Sequence, residues 1–368
     1  MRTTAIKQLT KLIKDNYDSM KLDTNNNFSS NFWNTMNSYK KANIITLDRL
    51  KNFRNTHSHE RLSYGLDDEE NFFATLENYF LILDKYPKSL VDQLIEVNIG
   101  NPKYYKINEN KINNNELFII NFLFQILKYI NNENNIVLEI GGGFGSLVSK
   151  IKKLKSNTKI ILIDLPESLN LQIYYIKSLY PDSKILLYEE FNNKLLNVDH
   201  LDSNSFFKEV DFIFLPPNSL NKLKKFGRFV NIFINTRSFQ EMDIEMIKKY
   251  FEFIENAIVE GGIFYNSNKY NKFINNKNIR FSEYPYSNNW DCLSSVQSFN
   301  QANVHELCTK YNSSTQDKIS LILQKIKKEN LKNNNNFIFT KFLLRKLLNI
   351  IIFFIPRKIL FKIFKMYI

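Results

Sequence analysis

The apolar positions of this chain fall into three rhythms. From the N-terminus to about residue 110 they recur at helical spacing. Ala5, Ile6, Leu9, Leu12 and Ile13 share one face, as do Phe72, Phe73, Leu76, Tyr79, Phe80 and Leu83. Pro87 and then Gly100-Asn101-Pro102 punctuate the end of this stretch. Leu117 to Ile130, LFIINFLFQILKYI, is apolar nearly all round, which predicts a buried helix leading into the next unit. From Ile136 the second rhythm takes over: VLEI at 137–140, IILID at 160–164, KILLYEE at 184–190, VDFIFL at 210–215, VNIFIN at 230–235 and GGIFYN at 261–266. Helical stretches such as 168–180 and 243–258 separate these runs. Strands alternating with helices of that length predict an α/β fold with a doubly wound, mostly parallel sheet. The first four runs lack polar alternation, as expected of strands covered on both faces. A strand at Ile279 to Tyr284 and the segment Trp290 to Lys310 are expected to end the sheet with an antiparallel pair.

The third rhythm is the tail. Lys341 to Ile368, KFLLRKLLNIIIFFIPRKILFKIFKMYI, carries seven Lys or Arg and no acidic residue, and Pro356 splits it in two. That composition predicts an interfacial helix on an anionic membrane, the alternative being a helix packed on the core. No run reaches the roughly 18 apolar residues of a membrane span. The N-terminus, MRTTAIKQLTKLIKDNY, lacks the apolar core of a signal peptide. A cytoplasmic protein, peripheral on the inner face of the cytoplasmic membrane, is therefore expected. Four segments follow: a helical accessory region at 1–110, a core at 111–312, a helix and Asn-rich linker at 313–340, and the basic tail at 341–368. The short Asn runs at 25–27, 113–115 and 333–336 are read as loop filler.

Composition narrows the setting without choosing a partner. A formal charge of +13 favours nucleic acid, anionic lipid or a phosphate-bearing substrate. Cys292 and Cys308 lie sixteen apart, which implies neither a zinc site nor a disulfide framework. Buried thiols in a reducing compartment are the expectation.

Chemistry concentrates at VLEIGGGFGSL, residues 137–147, which holds four of the nine glycines. After the first strand of an α/β sheet, glycines let a ligand approach the backbone. A dinucleotide fingerprint needs glycine at positions one, three and six. Gly141, Gly143 and Gly145 occupy one, three and five, and Ser146 takes the sixth. Glu139 is a carboxylate inside an apolar strand, costly unless it meets a donor or the crevice. Asp164 ends the second strand, where a carboxylate can accept both hydroxyls of a ribose.

Glu139, the G-x-G-x-G turn and Asp164 resemble the S-adenosylmethionine site of Rossmann-like class I methyltransferases over roughly residues 111–310. DLPE at 164–167, INTRSFQEM at 234–242 and VNIGNP at 97–102 are similar to the sugar O-methyltransferase family. The resemblance implies methyl transfer from S-adenosylmethionine to a sugar hydroxyl of a surface glycan or its lipid-linked precursor. It places Glu139, Gly141, Gly143 and Gly145 around the methionine part of the cofactor, with Asp164 and Leu165 at the ribose. FLPPNS at 214–219 is a decoy for the Asp/Asn-Pro-Pro-aromatic motif of amino-directed methyltransferases. Leu215 and Asn218 replace its polar and aromatic members. Pro216 and Pro217 are read instead as ending an extra strand and walling the adenine.

For such a reaction the protein must align the hydroxyl and remove its proton. The acceptor is expected beside Asn235, Arg237, Ser238 and Gln240, with Glu241 as general base. The alternative for Ser238 and Glu241 is a capping box, S-x-x-E. His57, in FRNTHSHERL, is the second candidate base, and Arg54 in the same stretch could contact an acidic sugar or phosphate. His57 and His59 lack a third ligand, so no metal is expected. No nucleic-acid partner is expected, because seven cations sit in the apolar tail rather than on a basic face with stacking aromatics. Three alternatives remain: an RNA methyltransferase, another small-molecule methyltransferase, and a non-catalytic membrane-associated protein. Oligomeric state is not legible in the sequence.

Overall fold

In the computed structural model, residues 3–23, 45–55, 72–107, 109–130, 135–196, 202–274, 277–299, 301, 303–314 and 318–333 are described. His57, His59 and the tail 341–368 lie outside them. The helical rhythm of the first region produces Thr3–Asp23, Leu47–Lys51, Phe72–Leu83 and Lys88–Leu94, followed by a small hairpin of Tyr105–Ile107 (β1) and Asn110–Ile112 (β2). The apolar run near 120 becomes the helix Asn114–Leu127, started by Asn113, whose side chain accepts from the Glu116 N–H.

One eight-stranded sheet follows. Its members in chain order are Ile136–Ile140 (β3), Lys159–Ile163 (β4), Ile185–Leu186 (β5), Phe212–Leu215 (β6), Val230–Thr236 (β7), Ile258–Lys269 (β8), Trp290–Gln297 (β11) and Val304–Tyr311 (β12). Asn271–Ile274 (β9) and Lys277–Arg280 (β10) form a separate antiparallel hairpin. The spatial order is β11-β12-β8-β7-β3-β4-β6-β5. β5, β6, β4, β3, β7 and β8 run parallel, and β12 is antiparallel to both of its neighbours. The expected α/β architecture, mostly parallel with an antiparallel last strand behind N-terminal helices, is the observed one.

Burial follows the two-residue period of the strands. Val137, Ile232, Ile234, Ile263 and Tyr265 face a cluster with Leu117, Ile120, Leu123, Leu147 and Ile151. Leu138, Ile140, Phe233 and Phe264 face the other way, onto a larger cluster that includes Ile173, Ile176, Phe251 and Ile254. Leu9, Ile13 and Met20 of the first helix join that second cluster, and Tyr17 and Lys21 reach Glu167 at 3.1 and 2.8 Å. The first helix is thus packed onto helices that cover the sheet, Pro166–Leu179 and Tyr188–Leu196, rather than standing apart.

Three local expectations are corrected. KILLYEE contributes only two strand residues, and Tyr188–Leu196 is a helix. Glu189 and Glu190 in its first turn suit a helix N-terminus, and Glu190 accepts from the Leu187 N–H at 3.2 Å. Ile279 to Tyr284 does not join the main sheet: Lys277–Arg280 pairs in the hairpin and Phe281–Glu283 is a single 3-10 turn. Ser238 and Glu241 make no capping box. They bound a 3-10 turn, Met242 is extended, and Asp243 caps the helix Ile244–Ala257 by accepting from Met246 N–H at 2.9 Å.

Candidate functional site

The sheet brings Glu139, the glycine turn, Asp164 and the end of β7 to one edge. β3 pairs with β4 so that Ile140 lies beside Ile163, and with β7 so that Ile140 lies beside Asn235. The chain then leaves β3 through Gly141, whose N–H donates to Ile163 O at 2.9 Å. Gly141, Gly143 and Gly145 have φ of 71°, 61° and 88°, a conformation that L side chains rarely adopt. Gly141 also has no room for a Cβ, which would lie 1.9 Å from Ser238 Oγ. Gly143 has nothing within 4 Å of its Cβ position, so the turn opens there. Gly145 is the left-handed residue from which the helix Ser146–Leu154 begins.

Gly142 was not required by the spacing of the other three, and the structure explains it. A Cβ there would sit 2.6 Å from Glu139 Oε2. Glu139 is 1% exposed, and that same oxygen has no hydrogen-bond partner. Burial, then the nearby Asp164 carboxylate, pushes its carboxyl up to about 8. Asp164 sits next to the turn: Oδ1 accepts from Leu165 N–H and Oδ2 from Gln172 Nε2, each at 2.8 Å. Burial lifts its carboxyl to about 7 against the opposing pull of the Leu165, Ser168 and Gln172 donors. Gln172 also donates to Gly143 O at 3.1 Å, so one amide ties the Asp164 carboxylate to the open glycine. Sequence reasoning missed Gln172. Its signal was a polar residue on the buried face of Pro166–Leu179.

Two crowded carboxylates with an unpartnered oxygen, beside an open glycine, suit a ligand that carries a positive charge and a vicinal diol. S-Adenosylmethionine has both, so the residues present fit it. Glu139 would complement its cationic part, Gly143 would let its backbone-like portion approach, and Asp164 would accept from the ribose. A consequence is testable by titration calorimetry. A cationic ligand favours the charged forms of Glu139 and Asp164, so binding should release protons between the bound-state values and about 8. Affinity should therefore rise with pH up to about 8. Glu139→Gln should flatten that rise; an unchanged pH profile would remove Glu139 from the site.

The expected acceptor cluster is more tightly bound to its own fold. Asn235 is fully buried, donates to Ile140 O at 2.9 Å, and accepts from Phe239 N–H and Asn268 Nδ2. Gln240 accepts from Lys269 N–H at 2.9 Å and donates to Glu241. Glu241 forms an ion pair with Lys272. Ser238 packs over Gly141. These side chains brace the end of β7 against the glycine turn. Arg237 stands out: it has φ of 62°, and its Nε is buried without a partner.

Arg54 is placed elsewhere. It is completely buried, with Nη2 3.1 Å from Glu116 Oε1 and Nη1 3.3 Å from Glu96 Oε2. Lys150 reaches Glu116 Oε2 at 2.5 Å, and Ser146 Oγ donates to Glu116 Oε1 at 3.1 Å. The VNIGNP segment wraps this cluster. Ile99 O accepts from Arg54, Gly100 O accepts from its N–H, and Gly100 has no room for a Cβ beside the Phe53 ring. The Arg54 guanidinium also lies 4.6 Å from the centroid of Phe144, the residue between Gly143 and Gly145. Arg54 therefore anchors the glycine turn from behind, in a closed ion cluster rather than on an open acceptor surface.

No family model matches the chain, and no curated protein does. Many solved structures are similar to it at low identity, and three serve as examples. One, from work on conversion of a disulfide bond into a thioacetal group during echinomycin biosynthesis, shares 10% identity over 55% of this chain and 86% of its own, with a TM-score of 0.35. Magnesium protoporphyrin IX methyltransferase from Synechocystis, with bound S-adenosylhomocysteine, shares 8% over 53% of this chain and 82% of its own, at 0.34. Mitomycin 7-O-methyltransferase shares 9% over 54% of this chain and 57% of its own, at 0.32.

Among the described residues no group of three or more His, Cys, Asp or Glu could hold a metal ion. No helix among them is long and apolar enough to cross a membrane.

Proposed function

We propose that this protein is an S-adenosylmethionine-dependent O-methyltransferase acting on a sugar hydroxyl of a surface glycan or its precursor. The observation that carries the cofactor is the pairing of Glu139 and Asp164, both raised, across a glycine turn that opens at Gly143. The acceptor is supported by the resemblance of INTRSFQEM and VNIGNP to the sugar O-methyltransferase family and by the polar residues at the end of β7.

When bound, the cofactor supplies an electrophilic methyl group. The chain's own residues have three tasks. Glu139 holds the cationic end by charge, Asp164 and Leu165 fix the ribose, and the glycine turn lets the reacting centre lie close to the backbone. An acceptor hydroxyl taking that methyl group would have to give up its proton to a base on this chain. Glu241 is proposed as that base, opening its ion pair with Lys272, with His57 as the second candidate. Asn235, Ser238 and Gln240 hold the rim of the acceptor site in shape. The basic tail 341–368 is proposed to bring the enzyme to anionic lipid, where a lipid-linked acceptor would be found.

The direct test is transfer of a labelled methyl group from S-adenosylmethionine to a panel of free, nucleotide-linked and lipid-linked sugars. Saturable cofactor binding with no transfer to any sugar would overturn the acceptor. For the tail, the full chain should float with phosphatidylserine-containing vesicles and a chain ending at Asn336 should not; equal flotation would contradict the anchor.

A further inference from the structure

Arg237 is a cation whose counter-charge is missing. Its backbone is held at φ 62° as the chain leaves β7, with its N–H donating to Ser267 O at 2.7 Å. A non-glycine residue in that region persists only where its surroundings enforce it, and such residues gather at functional sites. The guanidinium lies over Phe118 and Phe122, 5.2 and 5.6 Å from the ring centroids, and one terminal nitrogen donates to Gln301 Oε1. Its Nε donates to nothing. Burial lowers its pKa only to about 10, so the charge survives at neutral pH.

No carboxylate pairs with it among the described residues. Glu306 attracts it through space, but the Glu306 oxygens are already engaged. Oε1 accepts from Ser298 Oγ at 2.5 Å and from Asn121 Nδ2 and Phe299 N–H at 3.4 Å, while Oε2 accepts from Tyr265 O–H at 2.8 Å. Arg54 shows how this same chain treats an arginine whose role is internal, with two carboxylates at 3.1 and 3.3 Å. Arg237 has aromatic faces and one neutral amide instead. It also keeps part of its surface open and directly precedes Ser238, which covers Gly141.

We infer that Arg237 receives an anionic group of the acceptor, a carboxylate or a phosphate, so that the molecule methylated is an acidic sugar or a sugar phosphate and not a neutral sugar. This inference rests on the acceptor site proposed above. A guanidinium with a free Nε–H and a terminal N–H presents the fork that carboxylate and phosphate oxygens fit. Bringing the anion also supplies the counter-charge that the aromatic walls do not.

The test is titration calorimetry of the full chain, saturated with S-adenosylhomocysteine, against glucuronate, glucose 1-phosphate and glucose. At least one anionic sugar should bind about tenfold or more tighter than glucose, and its affinity should fall with added salt. Preference for glucuronate assigns the carboxylate, and preference for glucose 1-phosphate the phosphate. Arg237→Gln should abolish the preference and Arg237→Lys should keep part of it. Equal affinities for all three sugars, or a preference that survives Arg237→Gln, would overturn the inference. Should Arg237→Gln fail to fold, the wild-type comparison and Arg237→Lys still decide. Absence of S-adenosylhomocysteine binding by the wild-type chain would instead count against the cofactor reading, and the sugar titrations without it would still report on Arg237.

Discussion

Glu116→Ala should be strongly destabilising, costing on the order of 3–5 kcal/mol. Glu116 is 0% exposed and stands between Arg54 and Lys150, which are themselves buried. Removing the carboxylate leaves two buried cations facing each other, and the nearby Glu96 is a weak substitute. Burial pushes its carboxyl up, and it meets only the Arg54 side of the cluster, at 3.3 Å. Chemical denaturation at neutral pH should show the midpoint falling with little change in slope. A triple variant, Glu116→Leu with Arg54→Met and Lys150→Met, removes the charges together and should recover much of the loss. If Glu116→Ala alone costs under 1 kcal/mol, water reaches the cluster and it is not the closed anchor described above.

The same group sets an acid limit. Burial alone would raise the Glu116 carboxyl, but Lys150 and Arg54 more than offset it, so its native pKa lies below the ordinary 4.5. A depressed carboxylate contributes stability above its unfolded value and loses it as pH falls through the native one. Glu116→Gln should therefore blunt the acid-induced loss of stability, in addition to lowering stability near pH 7. The cluster matters beyond the fold, because Ser146 and Phe144 connect it to the glycine turn. A loosened anchor should weaken cofactor binding even where the protein stays folded.

The parallel sheet was legible because β3, β4 and β6 are apolar at almost every position, and only a sheet covered on both faces makes sense of that. The glycine turn and Asp164 were legible because their chemistry is local to a strand end. What was hidden depends on partners distant in sequence. Arg54 looked like a contact for an acidic sugar or phosphate, but its carboxylate partners lie 42 and 62 residues away in the chain. Asn235 and Gln240 looked like ligands for a hydroxyl, but Asn268, 33 residues from Asn235, claims one of them and Lys269 the other. The short edge strand β5 failed for a different reason. Two apolar residues and a following Tyr-Glu-Glu satisfy strand propensity and helix-start chemistry at once, and only the turn back into the sheet decides between them.

Asp164→Ala should separate stability from cofactor binding more sharply than any other substitution. Its carboxylate already accepts from Leu165 N–H and Gln172 Nε2, and two well-oriented hydroxyls of a ribose would add two charge-assisted bonds. At about 1.5–3 kcal/mol for each bond to a charged group, losing both should weaken S-adenosylmethionine binding by about 10²-fold or more. The ligand-free protein should respond in the opposite direction. Burial raises the Asp164 carboxyl from 3.8 to about 7, so between those values the folded state binds the extra proton. Its contribution to stability therefore falls as pH rises through that window. The alanine variant lacks that penalty, and near pH 8 its melting temperature should match or exceed that of the wild type. The ligand-induced rise in melting temperature should nonetheless nearly vanish. A variant that melts lower and still binds S-adenosylmethionine normally would make Asp164 a structural residue and leave the ribose without a partner. A carboxylate that lowers the stability of the empty protein is what a ligand with hydroxyls to donate would select for.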